Sequence, residues 1–170
     1  AWFFPFTDTS PLPDRWLAYQ AGLGFFGKNR CLIHPEYGSW FTIGGILTTI
    51  PFPPDHPITG RCGTCRACMT ACPGSALRED RFLPFRCKSY LTQKKSPLTE
   101  EEKTIISRTP LIFGCDECQW VCPFNRNAVS SVSTEAQTDR ISLLTGKELD
   151  QLTNRTFKEK YGNRAFAWRG

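Results

Sequence analysis

The chain has 170 residues, of which 40% are hydrophobic and 13% aromatic, enough to build a core, so it does not read as a disordered segment. Its 21 Lys and Arg outnumber its 16 Asp and Glu, for a formal charge of +5, and no apolar run approaches the roughly 18 residues that would span a bilayer. Seven of the nine cysteines crowd into two tight runs, and disulfides between residues three apart close tiny loops that stabilise little, so the spacing points to a metal.

In chain order, residues 1–9 are expected to be extended, because Pro5 and its aromatic neighbours break any helical period. The start, with no Met and no basic segment, does not read as a signal peptide. Ser10 followed by Pro11 and Pro13 predicts a helix start, with the helix running through residues 15–21 and stopping at Gly22. Gly22, Gly24 and Gly27 make a tight turn into Lys28-Asn29; no strand precedes it, so it is not a nucleotide-binding fingerprint. Two β-type stretches follow, 31–34 and 39–50, joined by the turn Pro35-Glu36-Tyr37-Gly38. Four prolines within residues 51–57 mark a module boundary. Residues 61–125 hold the remaining cysteines, interrupted by a helix. It opens at Leu98-Thr99-Glu100-Glu101-Glu102, acidic where the helix dipole favours acid, and closes near Thr109-Pro110. Residues 128–139 are Ser/Thr-rich and expected to be a loop. Leu143, Leu144, Leu149, Leu152 and Phe157 then recur near helical spacing as far as Gly162.

Cys62-x-x-Cys65-x-x-Cys68-x-x-x-Cys72-Pro73 has the spacing of bacterial two-cluster ferredoxins. Ligands at every third residue of a loop wrap three corners of a cubane; the fourth cysteine, by then in a helix, faces a second cluster. Cys115-x-x-Cys118-x-x-x-Cys122-Pro123 repeats the run without its first ligand, and Cys87 upstream can supply that corner. Pseudo-symmetry then gives Cys62, Cys65, Cys68 and Cys122 to cluster 1, and Cys72, Cys87, Cys115 and Cys118 to cluster 2. A zinc ribbon would want two well-separated CxxC pairs, and a zinc with a single cubane would leave a cysteine unused in one run. Two oxidised [4Fe–4S] clusters with their thiolates contribute about −2 each, which takes +5 to about +1. Net charge is therefore no argument for nucleic acid, and local clusters have to carry it. The ninth cysteine, Cys31, lies in an apolar stretch and is expected as a buried core thiol. His34 and His56 are assigned no metal. Reduced thiols in this number place the chain in the cytoplasm.

The segments around the cysteines go beyond electron transfer. Asp8-Thr9, Asp14-Arg15, Ala21-Gly22-Leu23-Gly24-Phe25-x-Gly27-Lys28-Asn29 and Pro35-Glu36-Tyr37-Gly38-Ser39-Trp40 resemble the middle of the epoxyqueuosine reductases. So do Arg86-Cys87-x-Ser89-Tyr90-Leu91-Thr92, Phe113-Gly114-Cys115-Asp116-x-Cys118-Gln119, the tail Phe157-Lys158-Glu159-Lys160-Tyr161-Gly162 and Trp168-Arg169-Gly170, all in collinear order. The resemblance implies an α+β protein in three parts. Residues 1–57 would be the C-terminal part of a nitroreductase-like, cobalamin-binding α/β domain whose first part is lacking. Residues 58–127 would be a bacterial ferredoxin-like dicluster module, and 128–170 a loop and a helical basic tail.

It further implies an oxidoreductase of queuosine biosynthesis that reduces epoxyqueuosine to queuosine in the wobble position of tRNA, with cobalamin fed by two [4Fe–4S] clusters. The partners would be that tRNA and an external low-potential electron donor, with no membrane, and the protein is expected to be a monomer. Asp8 would be the proton donor. Asp8, Arg15, Lys28, Leu32, Ile43, Ser89 and Asp116 would line cobalamin, and Gln93, Lys94 and Lys95 would meet tRNA. A carboxyl that acts as an acid near pH 7 needs an apolar setting, which Phe3, Phe4, Pro5 and Phe6 are expected to supply. Arg86 and Lys88, and Arg155, Lys158, Lys160, Arg164 and Arg169 of the tail, lie among aromatics in a pattern that suits phosphates and splayed bases. Taken alone, Asp8 also fits a capping residue, and the lysines a solvated face. Two other functions fit the residues: a non-enzymatic dicluster electron carrier, and a corrinoid reductive dehalogenase acting on small organohalides.

Overall fold

A computed structural model describes residues 1–7, 10–111, 113–128, 150–164 and 167. The N-terminal stretch is extended, as expected. Strand β1 (Phe3–Phe6) pairs antiparallel with β4 (Gly45–Thr48), Phe3 opposite Thr48 and Phe6 opposite Gly45. The two-stranded ribbon leaves each strand an edge, where Pro5 is tolerated. The Phe6 ring lies so close to Gly45 that a Cβ there would meet it at 2.3 Å, which makes that register a glycine register.

Helix α1 is shorter than predicted, Asp14–Gln20. Its expected start is instead a turn, in which the Leu12 N–H donates to Ser10 Oγ at 3.0 Å and Ser10 Oγ faces Asp14 Oδ1 at 3.4 Å. The helix ends at Ala21, followed by Gly22 in the left-handed region at φ 71°. The glycine-spaced segment then opens a hairpin, β2 (Phe25–Phe26) against β3 (Leu32–Ile33). A Cβ on Gly24 would come within 2.5 Å of the Ile33 carbonyl oxygen, so the close approach of the two strands demands glycine.

Of the stretch 39–50, only Gly45–Thr48 is strand, and it pairs with β1 rather than extending the 31–34 segment. The reason is competition from distant side chains. The Ser39 N–H donates to Asn125 Oδ1 at 2.7 Å, Asn125 Nδ2 to Ser39 Oγ at 2.9 Å, and Ser39 Oγ to Gln119 Oε1 at 2.9 Å. These bonds hold the 35–40 turn on the cysteine module instead of in a sheet.

The module contains α2 (Ala67–Ala71), α3 (Lys88–Gln93), α4 (Glu100–Ser107) and α5 (Glu117–Trp120), with 3-10 turns at Pro84–Arg86 and Pro123–Asn125. Helix α2 packs on α5, and α3 on α4. The predicted acidic helix is confirmed as α4. It opens with a capping box, Thr99 Oγ1 accepting from the Glu102 N–H and the Glu102 carboxylate accepting from the Thr99 N–H. In the tail, α6 (Asn154–Tyr161) is capped by Thr153 and stops at Gly162; of the apolar residues whose spacing predicted a helix, Phe157 lies in it and Leu152 precedes its cap. Most of the expected Ser/Thr-rich loop, Leu143, Leu144 and Leu149, and the Trp168-Arg169-Gly170 end lie outside the described residues. Among the described residues no helix is long and apolar enough to cross a membrane. The proline-rich connector is exposed coil. The core is small, and part of it joins hairpin to module: Phe25, Ile33 and Cys122 are buried together, with Cys62 packed against them.

Candidate functional site

The doubled cysteine motif folds twice in the same way. Arg66 caps α2 and Asp116 caps α5 with near-identical backbones, φ/ψ −132°/11° and −117°/14°. Two N–H groups return to each cap carbonyl, from Met69 and Thr70 in one half and from Gln119 and Trp120 in the other. Cys72 and Cys122 are extended, as residues before proline must be, and the Ser75 and Asn125 N–H groups donate back to their carbonyls. Cys87 has the same extended backbone and caps α3.

Cys62, Cys65, Cys68 and Cys122 line one small cavity, closed from the hairpin side by Lys28, Asn29 and Ile33. These four are the set that pseudo-symmetry groups together. The Lys28 N–H donates to Cys62 Sγ at 3.4 Å, and the Ala76 N–H to Cys72 Sγ at 3.2 Å. Of the second set, the charges of Cys118 and Cys87 act on Cys115, while Cys72 ends the helix that packs on α5. Burial pushes Cys68 up to about 11, with Cys118, Cys62, Cys122 and Cys65 adding to it, and raises Cys115 and Cys122 as well. Thiolates this buried and this close repel one another, and a cationic iron–sulfur core among them offsets that repulsion. Among the described residues no three His, Cys, Asp or Glu converge on a site for a single metal ion.

Cys31 departs from the core thiol expected of it. It is only half-buried, its sulfur lies 3.9 Å from the Asn29 carbonyl oxygen, and Cys118, Asp116 and Cys122 of the second cysteine run act on it electrostatically. The neighbouring Cys118 thiol, opposed by burial and helped by the Arg15 guanidinium, holds Cys31 below the ordinary thiol range, while Cys31 and burial push Cys118 upward. His34 is structural: its Nδ1 accepts from the Glu36 and Tyr37 N–H groups at 3.1 and 3.3 Å.

A larger cavity, about 1040 Å³, is lined by residues of α1, the hairpin and the 41–43 segment. Arg15, Lys28 and Ile43 line it together, with Phe26, Phe41 and Arg78. Lys28 therefore borders both cavities. Its Nζ bonds Glu79 Oε1 at 2.9 Å, which holds the Glu79 carboxyl below the usual carboxylate range. Leu32 is turned into the core at 4% exposure and does not line this cavity. Ser89 and Asp116 do not line it either; the Ser89 carbonyl accepts from Gln93 Nε2, and Asp116 Oδ1 accepts from Gln119 Nε2 at 2.8 Å. Asp8 lies outside the described residues, and its neighbour Thr7 lines the cavity. Phe3, Phe4 and Pro5, expected to give Asp8 an apolar setting, are exposed on β1.

Among the residues expected to meet tRNA, Lys95 is exposed, whereas Lys94 pairs with both Glu102 oxygens at 2.8 Å. That pairing holds the Glu102 carboxyl below its usual range. Lys88 is no part of a basic face. It is 1% exposed, and its Nζ donates to Ile106 O (2.7 Å) in the last turn of α4 and to Thr109 O (2.8 Å) and Thr109 Oγ1 (2.6 Å) just beyond it. Burial pulls its ammonium below the ordinary lysine range, and Cys115 and Glu117 oppose that shift. Asn29 was read from the sequence only as the end of a glycine turn; it is buried at 6% exposure, its Oδ1 accepting from the Cys31 N–H at 3.1 Å.

Residues 61–125 match a 4Fe-4S double cluster binding domain. The chain is 44% identical over 168 residues to the epoxyqueuosine reductase of Listeria monocytogenes, covering 96% of this chain and 43% of that protein. Among solved structures, an epoxyqueuosine reductase with an epoxyqueuosine-modified tRNA-Tyr stem loop superposes at a TM-score of 0.86 with 41% identity, covering 99% of this chain and 45% of that one. The Bacillus subtilis enzyme, solved with its aspartate catalytic loop swung out of the active site, superposes at 0.84 with 40% identity, over 99% of this chain and 45% of that one. The chain spans less than half the length of the curated relatives it matches. It belongs to the epoxyqueuosine reductase family and carries that family's 4Fe-4S double cluster binding domain.

Proposed function

We propose that this chain forms the electron-supplying part, and one wall of the reaction site, of an enzyme that reduces epoxyqueuosine to queuosine in the wobble position of tRNA. The observation that carries the reading is the pair of cavities bordered by Lys28: four thiols on one side, a large guanidinium- and aromatic-lined space on the other. Electrons leaving a cluster in the first have only the hairpin to cross. Cys62, Cys65, Cys68 and Cys122 are assigned to one [4Fe–4S] cluster, and Cys72, Cys87, Cys115 and Cys118 to the other.

The larger cavity suits a macrocycle with amide and phosphate substituents, and Arg15, Lys28 and Ile43 would hold cobalamin there. When bound, cobalamin supplies a low-potential reductant for the epoxide. The reduction takes up two electrons and two protons, and the epoxide oxygen leaves as water. Asp8, next to cavity-lining Thr7, is assigned one of those protons. The catalytic aspartate loop of the solved Bacillus subtilis relative supports this role. Ser89 and Asp116 flank Cys87, Cys115 and Cys118 and act on that cluster's side of the site. Gln93 and Lys95 meet the tRNA, with Lys94 anchored between RNA and Glu102. The setting is the cytoplasm, the electron source an external low-potential donor, the protein a monomer. The N-terminal part completes a nitroreductase-like domain with residues absent from this chain.

The test uses the full-length protein, reconstituted anaerobically with iron, sulfide and cobalamin and given an epoxyqueuosine stem loop and a low-potential reductant. Queuosine should form with two electrons consumed per product. Clusters that cycle normally without any queuosine would instead mark an electron carrier.

A further inference from the structure

The side-chain nitrogen of Asn29 is buried and has no hydrogen-bond partner among the described residues. Which end of the amide carries that nitrogen is fixed by its neighbour. The Cys31 N–H lies 3.1 Å from Oδ1, and a reversed amide would set donor against donor. The fold also makes room for the group, since a Cβ on Gly27 would stand 2.6 Å from Asn29 Oδ1. With its oxygen committed to the turn, Asn29 has its nitrogen left for the cavity that it lines with Cys62, Cys65, Cys68 and Cys122. The acceptors gathered there are sulfurs. Buried donors without partners are rare in native proteins and call for a specific explanation.

We infer that Asn29 Nδ2 donates an N–H···S hydrogen bond to the cluster held by Cys62, Cys65, Cys68 and Cys122, and thereby raises that cluster's reduction potential. The inference rests on the two-cluster reading. Reduction adds negative charge that spreads onto the sulfurs, so a fixed donor stabilises the reduced state more than the oxidised one; hydrogen bonds to sulfur are among the main settings of such potentials. The preceding residue already does this through its backbone, with the Lys28 N–H on Cys62 Sγ at 3.4 Å. Asn29 adds a side-chain donor from the same turn. It is a positioning residue, because it acts through the cluster and not on the tRNA.

The test uses the full-length protein reconstituted anaerobically. Iron and sulfide content of the unsubstituted protein checks the two-cluster reading first and separately. The cluster that survives Cys87→Ala identifies the Asn29-side signal. In Asn29→Ala, the oxidised-to-reduced ratio of that cluster at a fixed potential should rise about tenfold, a shift of about 59 mV to more negative potential for a one-electron couple, with the other cluster unmoved. In protein labelled with ¹⁵N only in asparagine side chains, pulsed EPR of the reduced cluster should show one coupled nitrogen. An unmoved potential, equal movement of both clusters, or no coupled nitrogen overturns the inference. If Asn29→Ala fails to hold iron, the labelled unsubstituted protein decides alone.

Discussion

Replacing Lys88 by Met keeps most of the stem's bulk and removes the ammonium. The three N–H bonds lost are those to Ile106 O, Thr109 O and Thr109 Oγ1. The hydroxyl can rotate toward another partner, but the two carbonyls cannot. Each carbonyl left unpaired in this part-buried setting costs about 1–3 kcal/mol, about 2–6 kcal/mol for the two. The desolvation of the lysine charge is recovered in exchange, and an apolar stem fits beside buried Leu91, so the net loss should be about 2–3 kcal/mol. It falls on the contact between α3 and α4, not on the molecule as a whole. Hydrogen exchange of the α4 amides in the full-length protein reads this local opening, and it should accelerate about 30- to 150-fold. Exchange within twofold of the unsubstituted protein would refute the argument that Lys88 clamps the two helices.

Three further outcomes are expected. Cys87→Ala should lose about half the iron while Cys31→Ala keeps all of it, as measured by iron and sulfide analysis; the reverse pattern would exchange their roles. Lys94 and Lys95 changed together to Ala should lower the slope of log affinity for tRNA against log salt, because phosphate contacts are independent of sequence; an unchanged slope contradicts this. In the full-length protein, Asp8→Asn should reduce epoxyqueuosine turnover by about 10²–10⁴-fold while both clusters and cobalamin are retained; turnover near the unsubstituted rate removes Asp8 from the mechanism.

What the sequence revealed were the features set by local spacing. The cysteine runs specify their own loops, and the match between the Arg66 and Asp116 caps shows that the doubling is structural as well as textual. Helix α4 was legible because Thr99 and Glu102 cap it three residues apart. The pairing of β1 with β4 was not, since it joins segments some forty residues apart and leaves most of 39–50 irregular. Ser39, Gln119 and Asn125 meet only once the 35–40 turn lands on α5, so nothing near Ser39 in the chain announces the network. Lys88 shares a buried face with Leu91 and Thr92, but a lysine in that position reads as basic surface until the carbonyls at the end of α4 are placed around it. Asn29 looked like turn chemistry for the same reason: the cavity beside it is built mainly from cysteines more than thirty residues away.

The central claim is that eight of the nine cysteines hold two cubanes. Iron and acid-labile sulfide analysis of the anaerobically reconstituted full-length protein, with Mössbauer spectroscopy of the same sample, tests it most directly. The account predicts about eight irons and eight sulfides per chain, all in cubane-type signals. A reproducible value near four irons with stoichiometric zinc would contradict it.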